Sequence, residues 1–331
     1  MFLTNGIVQL LDIRKSSLLD LKSEIISGLT GRGVIRTMPS LLLWDDEGLE
    51  NFYSWAKSPD YYPSQREMEI LRTQGLDIVR KLPKRLVLIE LGCGSLTKTV
   101  SILENLEKEG HEVSYFALDV SEEALRQNLG AMSERFKSCG KISISGFIGT
   151  YEDCVEWLTT SANLPVSTVT FLWVGNSIAN LSKTEASALM SRFREACCKI
   201  SIDCSFLVTA DCCTAEDRLV KAYDPDVSSA RTFLYHGLHH ANRLMGENIF
   251  EANHWKCIMK YEQKENELLF SYVAKQDVEV DVHQLHVTVK KGEEIHYFLS
   301  GKWSQAQMRV IAENAGFEVR KTWTDAQNEY C

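Results

Sequence analysis

The sequence predicts an α/β chain: a mainly parallel, doubly wound sheet that carries a nucleoside site, joined to a second α+β domain. Three observations lead there. The apolar run Val87-Leu88-Ile89-Glu90-Leu91 reads as a strand buried on both faces and breaks at Gly92-Cys93-Gly94 before the helical stretch 97–108. A second run, 114–119, ends in Asp119, where the neighbouring parallel strand would offer a carboxylate to a ribose. Strand and helix patterns then alternate as far as Asp211, the rhythm of a parallel sheet with crossover helices.

Each element follows from its own pattern. Strand one covers 86–91 with a helix at 96–108. Strand two is 114–119 with a helix at 121–136. Strand three is 142–148 and ends in Gly149-Thr150-Tyr151, which could set an aromatic ring against adenine. Strand four is 168–174 and ends in Gly175-Asn176-Ser177-Ile178-Ala179-Asn180. Ser182 caps a helix at 183–198, and strand five is 205–211. Upstream, residues 1–35 are mixed, with helical spacing over 17–29. Pro39–Trp44 is an apolar run closed by Asp45-Asp46-Glu47-Gly48, and 49–56 is helical. Ser64 and Glu67 form a capping box for a helix at 66–81. Past Asp211 come helices at 216–223 and 228–245, then antiparallel strands at 253–261, 268–275, 278–285 and 295–301. A helix at 303–315 and a strand at 317–323 return to the first sheet. The domains are therefore expected at 67–213 plus 301–331 (nucleoside-binding) and 1–66 plus 214–300 (a cap).

Composition narrows the function. The 331 residues are 44% hydrophobic and 24% charged, ordinary for a globular chain. A net charge of −9 disfavours a nucleic-acid backbone as partner. No apolar run approaches the roughly 20 residues of a membrane span, and Met1–Gly6 lacks the flanks of a signal peptide. The ten cysteines are scattered, without Cys-x-x-Cys, which suits reduced thiols in the cytoplasm.

A dinucleotide fingerprint wants a third glycine where this chain has Thr97. Glu90, two residues before the first glycine, together with Asp119 on the next strand, favours S-adenosyl-L-methionine (AdoMet) over a nicotinamide cofactor; a plain strand-to-helix turn is the alternative. Lys98 either neutralises the AdoMet carboxylate or sits solvated. Asn180 offers a donor and an acceptor at the sheet's carboxyl edge, or merely closes a turn. Tyr61 and Tyr62 cover a ligand or pack as a lid, and Tyr223 bonds a substrate or packs. His236, His239 and His240 share a helix face, a spacing that can hold a metal or place a base but more often makes a polar surface. No general base is assigned and no metal is expected. His296, Phe298 and Ser300 alternate on one strand face.

Taken together these blocks resemble the histidine-specific, AdoMet-dependent methyltransferase family, which includes the ergothioneine-pathway histidine methyltransferase and fungal dimethylallyltryptophan N-methyltransferases. The likeness runs through Tyr61-Tyr62-Pro63 with Glu67, the block Glu90–Ser95 with Lys98, Asp119-Val120-Ser121, Gly149-Thr150-Tyr151, Gly175–Leu181, Ala222-Tyr223-Asp224, Gly292–Ile295 and Trp323-Thr324-Asp325. It implies a Rossmann-like class I methyltransferase domain with a substrate-binding α+β domain, AdoMet as cofactor and S-adenosyl-L-homocysteine as product. The expected cofactor positions are Glu90, Gly92, Gly94, Lys98, Asp119, Val120, Thr150, Tyr151 and Gly175. The expected acceptor positions are Trp44, Tyr61, Tyr62, Asn180, Tyr223, Phe298 and Ser300.

Two departures from the family shape the substrate. The acid two residues before the family's serine, which faces imidazole, is replaced by Phe298 ahead of Ser300. The tyrosine of Tyr-Asp-x-x-Gly, which helps hold the substrate amine, is replaced by Trp44 in Trp44-Asp45-Asp46-Glu47-Gly48. A site that has lost a charged partner discriminates poorly for imidazole, and aromatic walls favour a flat apolar acceptor. The expectation is an indole or other aromatic amino-acid-derived alkaloid of fungal secondary metabolism. Loss of the amine-holding tyrosine tilts it toward a late-stage product, even O-methylation, while N-methylation of a prenylated tryptophan or other amino acid is the alternative, and a non-catalytic AdoMet-binding protein is the alternative of another class. The chain stops soon after Trp323-Thr324-Asp325, where relatives continue into a last strand, so a trimmed end is also expected.

Overall fold

The computed structural model describes residues 8–15, 20–31, 35–94, 96–160, 168–282 and 285–331. Along the chain come β1 (Gln9–Asp12), α1 (Leu21–Thr30), β2 (Arg36–Thr37), α2 (Asp46–Ala56), α3 (Tyr62–Val79), β3 (Arg85–Leu91), α4 (Thr97–Lys108), β4 (Glu112–Asp119) and α5 (Glu122–Phe136). Next are β5 (Ile142–Ile148), α6 (Tyr151–Thr160), β6 (Thr168–Trp173), α7 (Lys183–Lys199), β7 (Asp203–Val208), α8 (Glu216–Tyr223) and α9 (Ser228–Met245). The order closes with β8 (Trp255–Glu262), β9 (Glu267–Ala274), β10 (Val278–Val282), β11 (Leu285–Val289), β12 (Glu294–Gly301) and α10 (Gln305–Asn314). Short 3-10 turns occupy Ser40–Leu43 and Ser177–Asn180. The chain divides into two compact units, Met1–Leu18 with Pro63–Cys213 and Lys302–Cys331, and Leu19–Tyr62 with Thr214–Gly301.

The first unit is a six-stranded sheet in the order β1-β5-β4-β3-β6-β7, every pair parallel. This is the parallel sheet that the alternating pattern predicts, in the Rossmann-like form that the family resemblance implies. In β3 the side chains go to both faces: Leu86 and Leu88 join Ile102, Leu103 and Leu125 in one core, and Val87, Ile89 and Leu91 join Phe171, Leu189 and Phe193 in the other. Burying each such side chain contributes roughly 1.5–3 kcal/mol. Burial on both faces places ligand-facing groups at the strand ends, in the loops after β3, β4, β5 and β6. Ser121 caps α5, and Ser182 with Glu185 forms the capping box of α7.

Several details differ from the sequence reading. β1 was not anticipated, and its pairing with β5 puts residues 9–12 in the sheet, not in the cap. Four residues with an exposed, half-buried, half-buried, exposed pattern carry too little periodicity to announce an edge strand. Helix α3 begins at Tyr62 with Pro63 in its first turn, so Ser64 and Glu67 lie inside the helix and form no capping box. β7 ends at Val208, and Asp211 instead makes an isolated antiparallel bridge with Tyr330. Residues 317–323 form no strand. Their groups are used elsewhere: the Trp323 indole donates to Asp77 of α3 at 2.7 Å, and the Val319 carbonyl accepts from Arg309. Ser17–Leu19 of the expected first helix and Ser95 of the glycine loop lie outside the described residues.

The second unit holds a four-stranded sheet, β2-β12-β9-β8, with β12, β9 and β8 antiparallel and β2 parallel to β12. β10 and β11 make a separate hairpin, and β11 was not separated from β10 in the sequence reading. A bulge between His296 and Phe298 breaks the alternation of β12. His296 faces Ser271 while Phe298 faces Phe270, so His296 does not share the face of Phe298 and Ser300.

Candidate functional site

The loop after β3 is tied to the end of β4 by its backbone. The Gly92 and Cys93 amides both donate to the Leu118 carbonyl, at 3.0 and 3.2 Å. The Gly94 amide donates to Asp119 Oδ2 at 3.3 Å and the Ser121 amide to Asp119 Oδ1 at 3.2 Å. Asp119 is 9% exposed, and burial raises its pKa above the ordinary carboxylate range even though these amides oppose the shift. Val120, next in the chain, is half-buried. Gly92 has φ of +72°, and a Cβ there would lie 2.9 Å from the Tyr151 hydroxyl, so the backbone approaches that ring as no other residue type allows. Tyr151 packs edge-on against Trp173, and burial pushes its phenol pKa up. Thr150 caps α6: its Oγ1 accepts the Asp153 amide at 3.1 Å, while its own amide and hydroxyl donate to Asp153 Oδ2 at 2.8 and 2.9 Å.

On the other side of β3, the loop after β6 turns at Gly175, with φ of +80° and the Lys98 ammonium 3.0 Å from where a Cβ would stand. Lys98 pairs with Glu67 of α3. Glu67 Oε1 accepts the Gly175 amide at 2.7 Å and the Thr209 hydroxyl at 2.6 Å. Asn176 Oδ1 accepts the Asp211 amide at 2.8 Å, and Asp211 pairs with fully buried Lys302 at 3.1 Å. Asn180 closes the 3-10 turn beyond Gly175 and is half-buried.

Gly92, Gly94, Lys98, Asp119, Val120, Thr150, Tyr151 and Gly175 thus cluster at the carboxyl ends of adjacent strands. Glu90 does not join them. It is 1% exposed, and its carboxylate accepts the Thr99 hydroxyl at 2.8 Å on each oxygen and the Tyr115 hydroxyl on Oε2. Burial pushes its pKa up to about 7. The residue read as a cofactor acid is an interior clasp between β3, β4 and α4. Glu67, Thr209 and the Asp211–Lys302 pair were missed. Glu67 stood in the right sequence block, but its i+3 spacing from Ser64 suggested a cap.

In the second unit, the aromatic acceptor candidates come together through rings between them. Trp44 lies 5.3 Å from Phe52, 5.1 Å from Phe233 and 6.5 Å from Phe298. Phe298 lies 5.2 Å from Phe270. Tyr61 lies 4.9 Å from Trp55 and 5.5 Å from Tyr223, and the Trp55 indole donates to the Ala222 carbonyl. Tyr62 is buried, with the Arg218 guanidinium 4.9 Å from its ring centre. Ser300 is buried two residues past Phe298 on β12.

The carboxylate missing beside the α9 histidines comes from Asp45. His236 Nε2 lies 2.5 Å from Asp45 Oδ1, His240 Nδ1 lies 3.5 Å from Oδ2, and His239 is exposed. The three groups bring ligand-type atoms within 4.8 Å of one another. Arg243 donates to Asp45 Oδ2 at 2.5 Å, His240 Nδ1 is 3.0 Å from the Leu42 carbonyl, and the Gly48 amide donates to Asp45 Oδ1 at 2.9 Å. Those bonds use the atoms a cation would need, and the cluster reads as a charged clamp on the start of α2. Burial opposes ionisation of Asp45, but the His236 bond and the Gly48 amide outweigh it and hold its pKa well below the usual carboxylate range.

Residues 21–331 match the family described as histidine-specific, SAM-dependent methyltransferases. The N-methyltransferase imqF of Aspergillus flavus is 36% identical, over 97% of this chain and 86% of the relative. The chain belongs to this family. It is an AdoMet-dependent methyltransferase. The N-methyltransferase benX of Aspergillus terreus is 38% identical over 96% of this chain and 89% of its own length. The 4-dimethylallyltryptophan N-methyltransferase easF of Claviceps purpurea is 28% identical over 97% and 95%. Membership agrees with the parallel sheet and with the turns after β3 and β6, where glycines take positive φ, Gly92 and Gly94 in the first and Gly175 in the second.

Proposed function

We propose that the chain transfers a methyl group from AdoMet to the nitrogen of a small aromatic, amino-acid-derived acceptor, with an indole as the first candidate, in fungal secondary metabolism. The observation that carries the acceptor class is the ring cluster of the second unit. Phe298 stands where the resemblance would put an imidazole-facing acid, and its neighbours are Trp44, Phe233 and Phe270. A carboxylate that would favour imidazole is thereby replaced by surface that gains from stacking and burial. Nitrogen is favoured because relatives such as imqF and benX are named N-methyltransferases. Trp44 in place of an amine-holding tyrosine is the residue that speaks for oxygen.

When bound, AdoMet supplies an electrophilic methyl carbon on a sulfonium. Everything else falls to the chain's own groups. Gly92 and Gly94 would let the nucleoside approach the backbone, Asp119 would grip the ribose hydroxyls, Tyr151 would lie along the adenine, and Lys98 would face the amino-acid carboxylate. In the second unit Tyr61 and Tyr223 would orient the acceptor amine and the aromatic rings would exclude water, so that alignment and desolvation carry the rate. All ten cysteines are free thiols, which suits a reducing, cytoplasmic setting. Among the described residues no helix is long and apolar enough to cross a membrane.

Incubation of the purified chain with AdoMet and tryptophan, a prenylated tryptophan, a hydroxylated indole or histidine, read by product mass and fragmentation, tests the proposal. Methyl on the nitrogen of an aromatic acceptor is expected. Transfer to a hydroxyl would overturn the nitrogen assignment, and preferred turnover of histidine would overturn the acceptor class.

A further inference from the structure

Glu67 is a buried carboxylate, 1% exposed, that gathers four elements at the carboxyl edge of the sheet. It sits on α3, pairs with Lys98 in the first turn of α4, and accepts hydrogen bonds from the Gly175 amide after β6 and the Thr209 hydroxyl after β7. The Gly175 amide also reaches Thr209 Oγ1 at 2.9 Å, and the Tyr330 hydroxyl lies 3.4 Å from the same oxygen. A charge held this far from water persists only where its partners are fixed. Those partners include one cation, and that cation is partly open: Lys98 keeps 22% of its side-chain surface exposed.

The division of labour follows from the two oxygens. Oε1 holds the backbone and hydroxyl of the Gly175 turn, and Oε2 holds the ammonium. A lysine at the start of a helix ordinarily ranges through many rotamers, and this one is drawn inward until its Nζ lies against Gly175. The ammonium is held in an ion pair with Glu67 Oε2 and stands beside the glycine turn with part of its surface open. An ammonium carries three donors, so it can meet an anion there while keeping that pair.

We infer that Glu67 is a positioning residue for the carboxylate end of AdoMet, acting through Lys98; the inference rests on reading the Gly92–Gly94 loop as the AdoMet site. Glu67 itself is too buried to touch the cofactor. It holds the ammonium over Gly175, so that the amino-acid end meets a cation already in place.

Titration calorimetry on the full chain tests this with two ligands. S-adenosylhomocysteine carries the amino-acid end, and 5′-methylthioadenosine has the same nucleoside and sulfur without it. Glu67→Gln can keep the two bonds on Oε1 but loses the charge that holds Lys98. Its affinity for S-adenosylhomocysteine should fall roughly tenfold, the worth of a hydrogen bond to a charged group, with 5′-methylthioadenosine changed less than about twofold. In a Lys98→Met background, Glu67→Gln should cost no further S-adenosylhomocysteine affinity. Equal loss for both ligands would make Glu67 a general support of the loop and overturn the inference, as would independent, additive losses. Should Glu67→Gln not fold, Lys98→Met alone decides: unchanged preference for S-adenosylhomocysteine over 5′-methylthioadenosine overturns the inference. Asp119→Asn keeps the two failures apart. It should weaken both ligands, and if it weakens neither, the site reading itself has failed.

Discussion

His236 Nε2 lies 2.5 Å from Asp45 Oδ1, a bond between residues 191 positions apart. The same carboxylate takes the Gly48 amide and Arg243, so one side chain caps α2 and ties it to α9. Trp44, immediately before it, stands in the aromatic cluster. The clamp thereby sets the position of a candidate acceptor residue through its neighbour in the chain.

Asp45→Ala should destabilise the protein by about 2–4 kcal/mol, because it removes an N-cap and leaves buried His236 without its carboxylate. Asp45→Asn keeps the cap and should cost less. Asp45 has a depressed folded pKa, so its contribution is present above the ordinary carboxylate range and is lost as pH falls below it. Denaturant melts of both variants from pH 7 to pH 3 check this, and equal stability of the two at neutral pH would count against the clamp.

Glu90 predicts the opposite pH trend. Its pKa is raised from 4.5 to about 7 by burial. Below 4.5 the group is protonated in both folded and unfolded chains, and its contribution is fully present. As pH rises to 7 the unfolded chain ionises first, and on the order of 3 kcal/mol of stability is lost. Glu90→Gln, which stays neutral, should flatten the stability profile across that window and melt higher than the parent at pH 8. A Gln variant with the parent's slope would show that Glu90 is ionised in the fold.

At Gly92 a methyl group has no room. The φ of +72° costs a side chain about 1–2 kcal/mol, and the new Cβ would press on the Tyr151 hydroxyl. Gly92→Ala should lower the melting temperature modestly and weaken S-adenosylhomocysteine binding at least tenfold, since the strain falls on the loop proposed to cradle the nucleoside. Unaltered binding would place the nucleoside elsewhere.

Phe298 tests the acceptor class. Phe298→Leu keeps an apolar side chain among Phe270, Phe233 and Trp44, and should cost about 1 kcal/mol in stability while lowering kcat/KM for the aromatic acceptor roughly tenfold. Phe298→Glu should weaken that acceptor further and also destabilise the fold, because Phe298 is 8% exposed and the new carboxylate would be buried. Full turnover by Phe298→Leu would remove Phe298 from acceptor recognition.

Much of the scaffold could be read from the chain. Helix α4 appears at the residues its spacing predicts, Ser182 caps α7, and β3, β4 and β5 form the centre of a parallel sheet. The edges were harder. β1 is four residues long, and 317–323 carries a strand-like pattern whose groups go to Asp77 and Arg309. The bulge at Tyr297 turned His296 off the face of Phe298, because one extra residue reverses a period of two.

The sequence by itself determined the succession of strands β3 to β7, the glycine bend between β3 and α4, and the replacement of polar groups by Trp44 and Phe298. These are matters of near neighbours, settled by hydrophobic spacing and by what a backbone without Cβ can do. Tertiary structure alone decided what each acid does. Glu90 turned inward to Thr99 and Tyr115, Glu67 left its supposed cap for Lys98 and Gly175, and Asp45 found His236. A buried carboxylate takes whichever donors packing delivers to it, and those donors arrive from elements distant in the chain.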